Sequence, residues 1–465
     1  MYESGFTAEQ WMALAQHELL LFAAAFFALG LLDELAVDML YLWLKVTGRA
    51  RTGTVPAEME VATDLSGPAA VFIPAWQEDA VIGLTLAHAV SSWRHDDLAI
   101  FVGCYRNDPA TLAKVEECAA KDGRIVPVIV DADGPTSKAH CLNVLWSALR
   151  ERETATGRPA HMVVLHDAED MVDPAELTVL DRAVRDADFV QLPVLALPLA
   201  SARWIGGHYS DEFAESHAKT MVVRNAIGAS VPGAGVGSAI GRAALERLAD
   251  TNGGAPFAED SLTEDYELGQ RIAAQGGTGR FLRVRTESGR LVATRAYFPE
   301  RLDAAVRQKT RWTHGIALQG WDRLGWQGRL VSRWMMLRDR KGPLAAALLA
   351  LGYVLVGTTI IAQTLAYFDV LPPLQLTPVL KFLLLANLAG LLWRCILRGV
   401  FTANEYGWRE GFRAIPRVVL TNMIAIISGW RAMRAYMAAL GGAPIVWEKT
   451  EHAAHPTQDA KLSVR

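Results

Sequence analysis

The chain has 465 residues, 21% charged and 51% apolar, and a net charge of -4. A mean hydropathy of +0.16 is too apolar for an ordinary soluble enzyme, while the charged fraction is too large for an all-membrane protein. A soluble domain joined to membrane segments fits both, and the lack of any Lys/Arg block excludes nucleic acid as a partner.

Glu18 to Val46 is largely apolar, too long for a signal-peptide core and without a basic region before it, which predicts a membrane helix that is retained. Asp33, Glu34 and Asp38 interrupt it; carboxylates at such depth face other helices or water, or mark the edge of a shorter span. Lys45, Arg49 and Arg51 follow, whereas the tail before the helix has no Lys or Arg, which puts the next domain in the cytoplasm. The plan is residues 1–50 as a transmembrane helix and 51–335 as a cytoplasmic catalytic domain. Residues 336–440 follow as two transmembrane helices and an interfacial helix, and 441–465 as a cytoplasmic tail.

Thr52–Gly67 reads as a linker. From Ala69, short apolar runs alternate with helical patterns. Strands are expected at Ala69–Trp76, Leu98–Tyr105, Arg124–Val130, Met162–Ala168 and Asp188–Val194, with helices between them, Ser137–Arg150 among these. This is an α/β domain with a largely parallel sheet, and such sheets bind ligands at the carboxyl ends of their strands. Glu78, Asp108, Asp131, Asp133, Asp167 and Glu169 lie there. Ile205–Asn225 reads as one long amphipathic helix, and Val231–Gly241 as a flexible turn whose glycines allow close approach to a ligand. The acidic stretch Phe257–Gly269 opens a helix, with Thr263 as its cap and Tyr266, Leu268 and Ile272 turned to a core. Arg301–Gly320 is a further helix carrying Gln308, Arg311 and Trp312.

Pro343–Phe368 and Leu376–Leu397 read as membrane spans joined outside by Asp369–Leu374, with Arg394 and Arg398 marking the return. Val418–Ser428 is short and followed by Arg431 and Arg434, so it reads as an amphipathic interfacial helix, a fourth span being the alternative. Cys104, Cys118, Cys141 and Cys395 lack zinc-site spacing and are expected as free thiols in a reducing compartment.

Two acids one residue apart at a strand end, Asp167 and Glu169, suit a hard cation such as Mg²⁺, which keeps waters and takes one or two carboxylates plus substrate phosphates. Transfer of a sugar from a nucleotide needs that cation, a base for the acceptor hydroxyl and cationic support for the leaving group. Asp265 suits the second role, and Arg311 and Lys138 the third. Trp312 offers a face for a ring, or an anchor beside the membrane.

In combination these residues resemble family 2 glycosyltransferases of the membrane-bound synthase type, whose fold is GT-A. Ile73-Pro74-Ala75-Trp76-Gln77-Glu78 is similar to the family's opening element. Ser137-Lys138-Ala139-His140-Cys141-Leu142-Asn143 resembles its nucleotide-binding Lys-Ala-x-x-Leu-Asn element, and Asp167-Ala168-Glu169 its metal-binding Asp-x-Asp. Thr263-Glu264-Asp265 matches the Thr-Glu-Asp whose Asp is the base, and Gln308-Lys309-Thr310-Arg311-Trp312 the Gln-x-x-Arg-Trp of processive synthases. The resemblance implies Asp265 and Glu264 as catalytic residues. It implies Pro74, Ala75, Glu78, Asp108, Lys138 and Asp167 at the donor, and Asp167 and Glu169 on Mg²⁺ or Mn²⁺. Gln308, Arg311 and Trp312 fall at the acceptor or diphosphate.

A narrower resemblance is to the glycosyltransferase part of the NfrB family, named for phage adsorption. It rests on Phe101–Asp108, His166–Asp170, Asp211–Glu215 and Val231–Gly237. It implies an inverting transferase in the bacterial inner membrane, with a nucleotide-diphosphate sugar (UDP-linked) as donor and a growing surface polysaccharide as acceptor. So few spans imply a homo-oligomer or an outer-membrane export partner, besides lipid. The alternatives are transfer of one sugar to a polyprenyl or other lipid acceptor, and a non-catalytic export scaffold.

Three departures accompany the match. Gly103 and Cys104 stand where synthases carry an Asp pair on the nucleotide, and Glu169 replaces Asp in the metal motif, with Asp170 a competing ligand. The cyclic-dinucleotide sensor common in NfrB proteins is not expected within this chain. Trp447–His452 resembles a segment that closes over the site in some relatives, a disordered tail being the alternative.

Overall fold

The computed structural model describes residues 7–50, 52–199, 201–442 and 455–458. Helix α1 (Ala8–Val46) leads into the α/β domain, whose main sheet has seven strands: β1 (Ala69–Ala75), β2 (Leu98–Tyr105), β3 (Ile125–Val130), β4 (Met162–Leu165), β5 (Phe189–Gln191), β6 (Ser238–Gly241) and β7 (Gly279–Phe281). Their order is β3-β2-β1-β4-β6-β5-β7. Only β6 runs antiparallel to its two neighbours, β4 and β5.

The sheet follows from period-two burial. Val71, Ile73, Ile100 and Val102 point into one core, and Ala70, Phe72, Ala99 and Phe101 into the other. Helix α2 (Ile82–Ser92) follows β1, and α3 (Pro109–Ala119) follows β2 with Pro109 in its first turn. Helix α4 (Lys138–Thr156) starts at Ser137, whose hydroxyl accepts from the His140 N–H, and ends at Gly157 in the left-handed region.

Two expectations change here. The amphipathic stretch from Ile205 is interrupted: α5 (Ile205–Glu215) passes through a π turn (Ser216–Thr220) into a short helix, Met221–Ala226. The glycine-rich stretch ends in strand β6, because Ser238, Ala239 and Ile240 find partners on both sides.

Helix α6 (Glu264–Ala274) buries Tyr266, Leu268 and Ile272 as expected. Thr263 precedes it but makes no side-chain cap bond. The Leu262 N–H instead donates to Gln319 Oε1 at 3.0 Å. Helix α7 (Leu302–Trp312) runs into a second π segment, Thr313–Gln319. Helix α8 (Leu330–Arg340) then leads to three long helices: α9 (Gly342–Tyr367), α10 (Pro378–Tyr406) and α11 (Trp408–Leu440).

Helices α1, α9, α10 and α11 are each long and apolar enough to cross a membrane. Leu29, Ile360, Phe382 and Leu385 are among the large side chains exposed on them, a surface suited to lipid. Helix α11 is far longer than the apolar run at Val418–Ser428 that marked it, and Pro416 lies inside it. Both of its halves hold the α/β domain: Arg417 is ion-paired with Asp211 at 2.7 Å, and the Tyr436 hydroxyl donates to Asp322 at 2.7 Å.

The acids of α1 are paired. Asp33 accepts from Trp334 at 2.8 Å and from Lys341 at 2.6 Å, and Glu34 lies 3.0 Å from Arg338. Asp38 accepts from Lys219 at 2.5 Å and from Trp393 at 2.9 Å. The clean apolar part of α1 therefore precedes Asp33, and the stretch able to cross a membrane is shorter than the helix. All four cysteines are free thiols.

Candidate active site

One cavity lies at the carboxyl ends of β1 and β4 and collects residues from all the sequence motifs. Pro74, Ala75 and Glu78 come from the end of β1 and the turn after it, Lys138 from the first turn of α4, and Asp167 and Glu169 from the turn after β4. Glu264 and Asp265 open α6, and Gln308, Arg311 and Trp312 lie on α7. Asp108 does not line the cavity. Its carboxylate accepts from the Thr111 N–H at 3.3 Å and the Gln77 N–H at 2.5 Å, so it caps α3 and fixes the turn carrying Glu78.

Lys138 is the electrostatic centre. Its Nζ is 2.5 Å from Asp167 Oδ1 and 4.0 Å from Glu264 Oε1, and it donates to the Gly235 carbonyl at 3.4 Å. Burial pushes the ammonium down, but Asp167, Glu264 and Asp265 outweigh it and hold its pKa above the ordinary lysine value. Burial also pushes Glu264 up to about 7, with Asp265 adding to the rise and Lys138 opposing it. Asp265 rises for the same reason, against the pull of Lys138. A carboxylate raised in this way is a stronger base than a solvated one.

The turn after β4 is built by buried charge. His166 bonds Asp170 through Nδ1 at 3.0 Å and Glu176 through Nε2 at 2.8 Å. Burial alone would lower its pKa; Glu176 and Asp170 raise it to about 10, so the ring stays protonated. Asp170 Oδ2 also accepts from the Asp167 N–H at 2.9 Å. Asp170 thus reaches the cavity wall with an oxygen already committed to holding the turn that presents Asp167 and Glu169.

On α7, Lys309 lies 2.6 Å from Glu212 and over the Trp312 ring at 4.8 Å. Gln308 Oε1 is buried with no partner among the described residues. Trp312 meets Tyr209, Phe213 and Phe298 edge to face.

The sequence reading missed the aromatic lining: Trp76, Tyr105, Phe213, Tyr297 and Phe298. Trp76, just after β1, and Tyr105, at the end of the adjacent β2, meet edge to face at 5.2 Å. Aromatic residues at strand ends were the available signal. The Asp pair of synthases has no room here, since a Cβ on Gly103 would collide with Cys141 Sγ. Cys104 is buried, which pushes its thiol up to about 12.

Gly235 has φ +82°, and a Cβ there would stand 2.8 Å from Asp265 Oδ2. Gly235→Ala is expected to lower turnover at least about tenfold by crowding the carboxylate, and to lose about 1 kcal/mol from the left-handed backbone. Steady-state kinetics and thermal melting of the purified variant measure the two effects.

A sequence profile described as Glycosyltransferase like family 2 matches residues 67–315. Bacteriophage adsorption protein B of Escherichia coli K12 is 30% identical over 446 residues, covering 90% of this chain and 60% of the relative. Bacteriophage N4 adsorption protein B of Escherichia coli O157:H7 matches to the same extent. The chain thus spans 60% of the length of these curated relatives. Among solved structures, the mannosyltransferase PcManGT from Pyrobaculum calidifontis, in complex with GDP-Man and Mn²⁺, superposes with a TM-score of 0.54 at 16% identity. That match covers 88% of this chain and 99% of the other, and it shows a shared GT-A-type fold. With more than half of its length matched by the family profile, this chain belongs to glycosyltransferase-like family 2, with a GT-A-type domain joined to long apolar helices.

Proposed function

We propose that the chain is an inverting transferase that moves a sugar from a nucleotide-diphosphate donor, UDP-linked, to a growing surface polysaccharide. The observation that carries this reading is one cavity lined by Lys138, Asp167, Glu264, Asp265 and Arg311 on its charged side and by Phe213, Phe298 and Trp312 on its aromatic side. The names of the relatives concern phage adsorption, a surface event, which is in keeping with a surface glycan.

In this mechanism Asp265 takes the proton of an acceptor hydroxyl. The oxygen bonds to the anomeric carbon as the bond from that carbon to the diphosphate breaks on the opposite face. The bonding pair leaves with the diphosphate, beside Lys138 and Arg311. Trp312 and Phe298 offer ring faces to the acceptor.

Asp167 and Glu169 fit a hard cation completed by substrate. Both reach the cavity, and no group of three or more His, Cys, Asp or Glu side chains able to hold a metal occurs among the described residues. Asp167 and Glu169 would hold Mg²⁺ or Mn²⁺ together with donor phosphates, and the cation would supply charge neutralisation for the departing diphosphate.

The basic residues flanking α1 and α10 favour a cytoplasmic catalytic domain in a bacterial inner membrane. Helix α11 is read as interfacial, because Arg417 and Tyr436 both bond that domain and the segment around His455 packs beside Asp170. A second reading, transfer of one sugar to a lipid phosphate, is favoured by the packing of Val306 and Trp312 with Leu420 and Ile424 of α11. Trp447–His452, the segment that resembles one closing over the site, lies outside the described residues.

The test is nucleoside diphosphate release by the detergent-solubilised protein across UDP- and GDP-sugars, with Mg²⁺, Mn²⁺ or chelator, followed by product sizing. Release from one donor that stops with chelator supports the reading, and a polymer separates the first acceptor class from the second. Absence of both turnover and donor binding across the panel favours an export scaffold.

A further inference from the structure

The catalytic helix α6 is tied to the helix that enters the membrane segment. Tyr266, directly after Asp265, is 4% exposed, and its hydroxyl donates to Asp339 Oδ2 at 3.0 Å. Asp339 lies in the last turn of α8, two residues before Lys341, which bonds Asp33 of α1. Arg224 clamps the other side of Asp339, with Nη1 at 2.8 Å from Oδ1 and 2.9 Å from Oδ2. The same Arg224 donates through Nε to the Ser230 carbonyl at 2.5 Å, just before the glycine-rich turn that faces Asp265. Ser230 in turn donates through its hydroxyl to Gln270 of α6 at 2.7 Å, and its N–H donates to Ser332 of α8 at 3.1 Å.

Tyr266 reaches the reacting region through its backbone. Its N–H donates to Asp265 Oδ1 at 2.7 Å. The phenol and the amide of one residue therefore link Asp339 to the carboxylate in the cavity. We propose that Asp339 and Tyr266 are a positioning pair: Asp339 holds the Tyr266 ring, and the Tyr266 N–H thereby sets the orientation of Asp265 from the membrane-side helix α8. Burial and Asp339 both push the Tyr266 phenol up, so its hydroxyl stays protonated and donates.

The inference rests on Asp265 as the base. A base set at the wrong angle slows the chemical step and leaves donor affinity intact, because the residues proposed for the donor lie at the end of β1, on α4 and on the β4 turn, away from Tyr266 and Asp339. Tyr266→Phe keeps the ring and removes only the bond to Asp339. Its kcat is expected to fall about tenfold while the donor Kd stays within about twofold. Asp339→Ala is expected to do the same, and the double variant to be no slower than the slower single, since both break one link. Asp339→Asn, which still accepts from the phenol, is expected to recover most of the rate.

The measurements are kcat, donor KM and donor binding for the full chain in detergent, with thermal melting to confirm folding. Tyr266→Phe turning over at the wild-type rate overturns the inference, as does a donor Kd that weakens in step with kcat or a double variant whose losses multiply. Asp265→Asn runs alongside. If that variant still turns over, the base reading itself fails. If it is inactive while Tyr266→Phe is fully active, only the positioning role fails.

Discussion

Asp265→Asn is expected to lower transfer by roughly 10²–10⁴-fold, the range for loss of a general base. The side chain keeps its shape at the start of α6, so the Tyr266 N–H still finds an oxygen, but the amide takes no proton from an acceptor hydroxyl. Donor binding is expected to stay within about twofold, because the substitution removes a transition-state interaction and leaves ground-state contacts in place. Lys138 loses one of three carboxylates that hold its charge and keeps Asp167 at 2.5 Å. Calorimetry with the donor that supports turnover, paired with nucleotide release, separates the two parameters. Retained turnover removes Asp265 from the base role, and lost binding makes it a donor residue instead.

Arg417→Met is expected to cost about 3–5 kcal/mol of stability, the penalty for stranding a buried charge. Arg417 and Asp211 are fully buried. The guanidinium donates through Nη2 to Asp211 Oδ1 at 2.7 Å and through Nε to Oδ2 at 2.8 Å. It also donates to Glu410 Oε2 and to the Arg203 carbonyl, each at 2.8 Å. The side chain passes so close to Gly207 that a Cβ there would strike it. It bolts α11 onto α5, whose Tyr209 and Phe213 pack around Trp312, so its loss weakens the aromatic side of the site as well as the fold. Arg417→Met with Asp211→Asn removes both charges and is expected to recover much of the loss. The midpoint for thermal loss of monodisperse protein reads both variants. A single variant that melts with the wild type contradicts the role given to this pair.

Much of the architecture was legible because it obeys short-range rules. Val71, Ile73, Ile100 and Val102 alternate with Ala70, Phe72, Ala99 and Phe101, and that period is the sheet. The motif residues converge because strands of a parallel sheet deliver their carboxyl ends to one edge. What stayed hidden depends on partners far away in the chain. The sequence marks only the short apolar run Val418–Ser428 with Arg431 and Arg434 after it, whereas helix α11 extends back through Arg417, whose charge is matched by Asp211 on another helix. Strand β6 hid within glycines whose pairing with β4 and β5 no local pattern reports. Asp108 looks in the sequence like a ligand-facing acid at a strand end, but the N–H groups of Thr111 and of the distant Gln77 occupy it. The part of the aromatic lining around Trp312 was invisible for a related reason: Phe213 and Phe298 meet Trp312 only after α5 and α7 have packed.

The most direct test of the account is the stereochemistry of transfer, read by NMR from the anomeric proton of the first bond formed with the active donor. A single displacement assisted by Asp265 predicts a linkage of configuration opposite to that of the sugar in the donor. A product that retains the donor configuration contradicts in-line attack by the acceptor and, with it, the role assigned to this carboxylate.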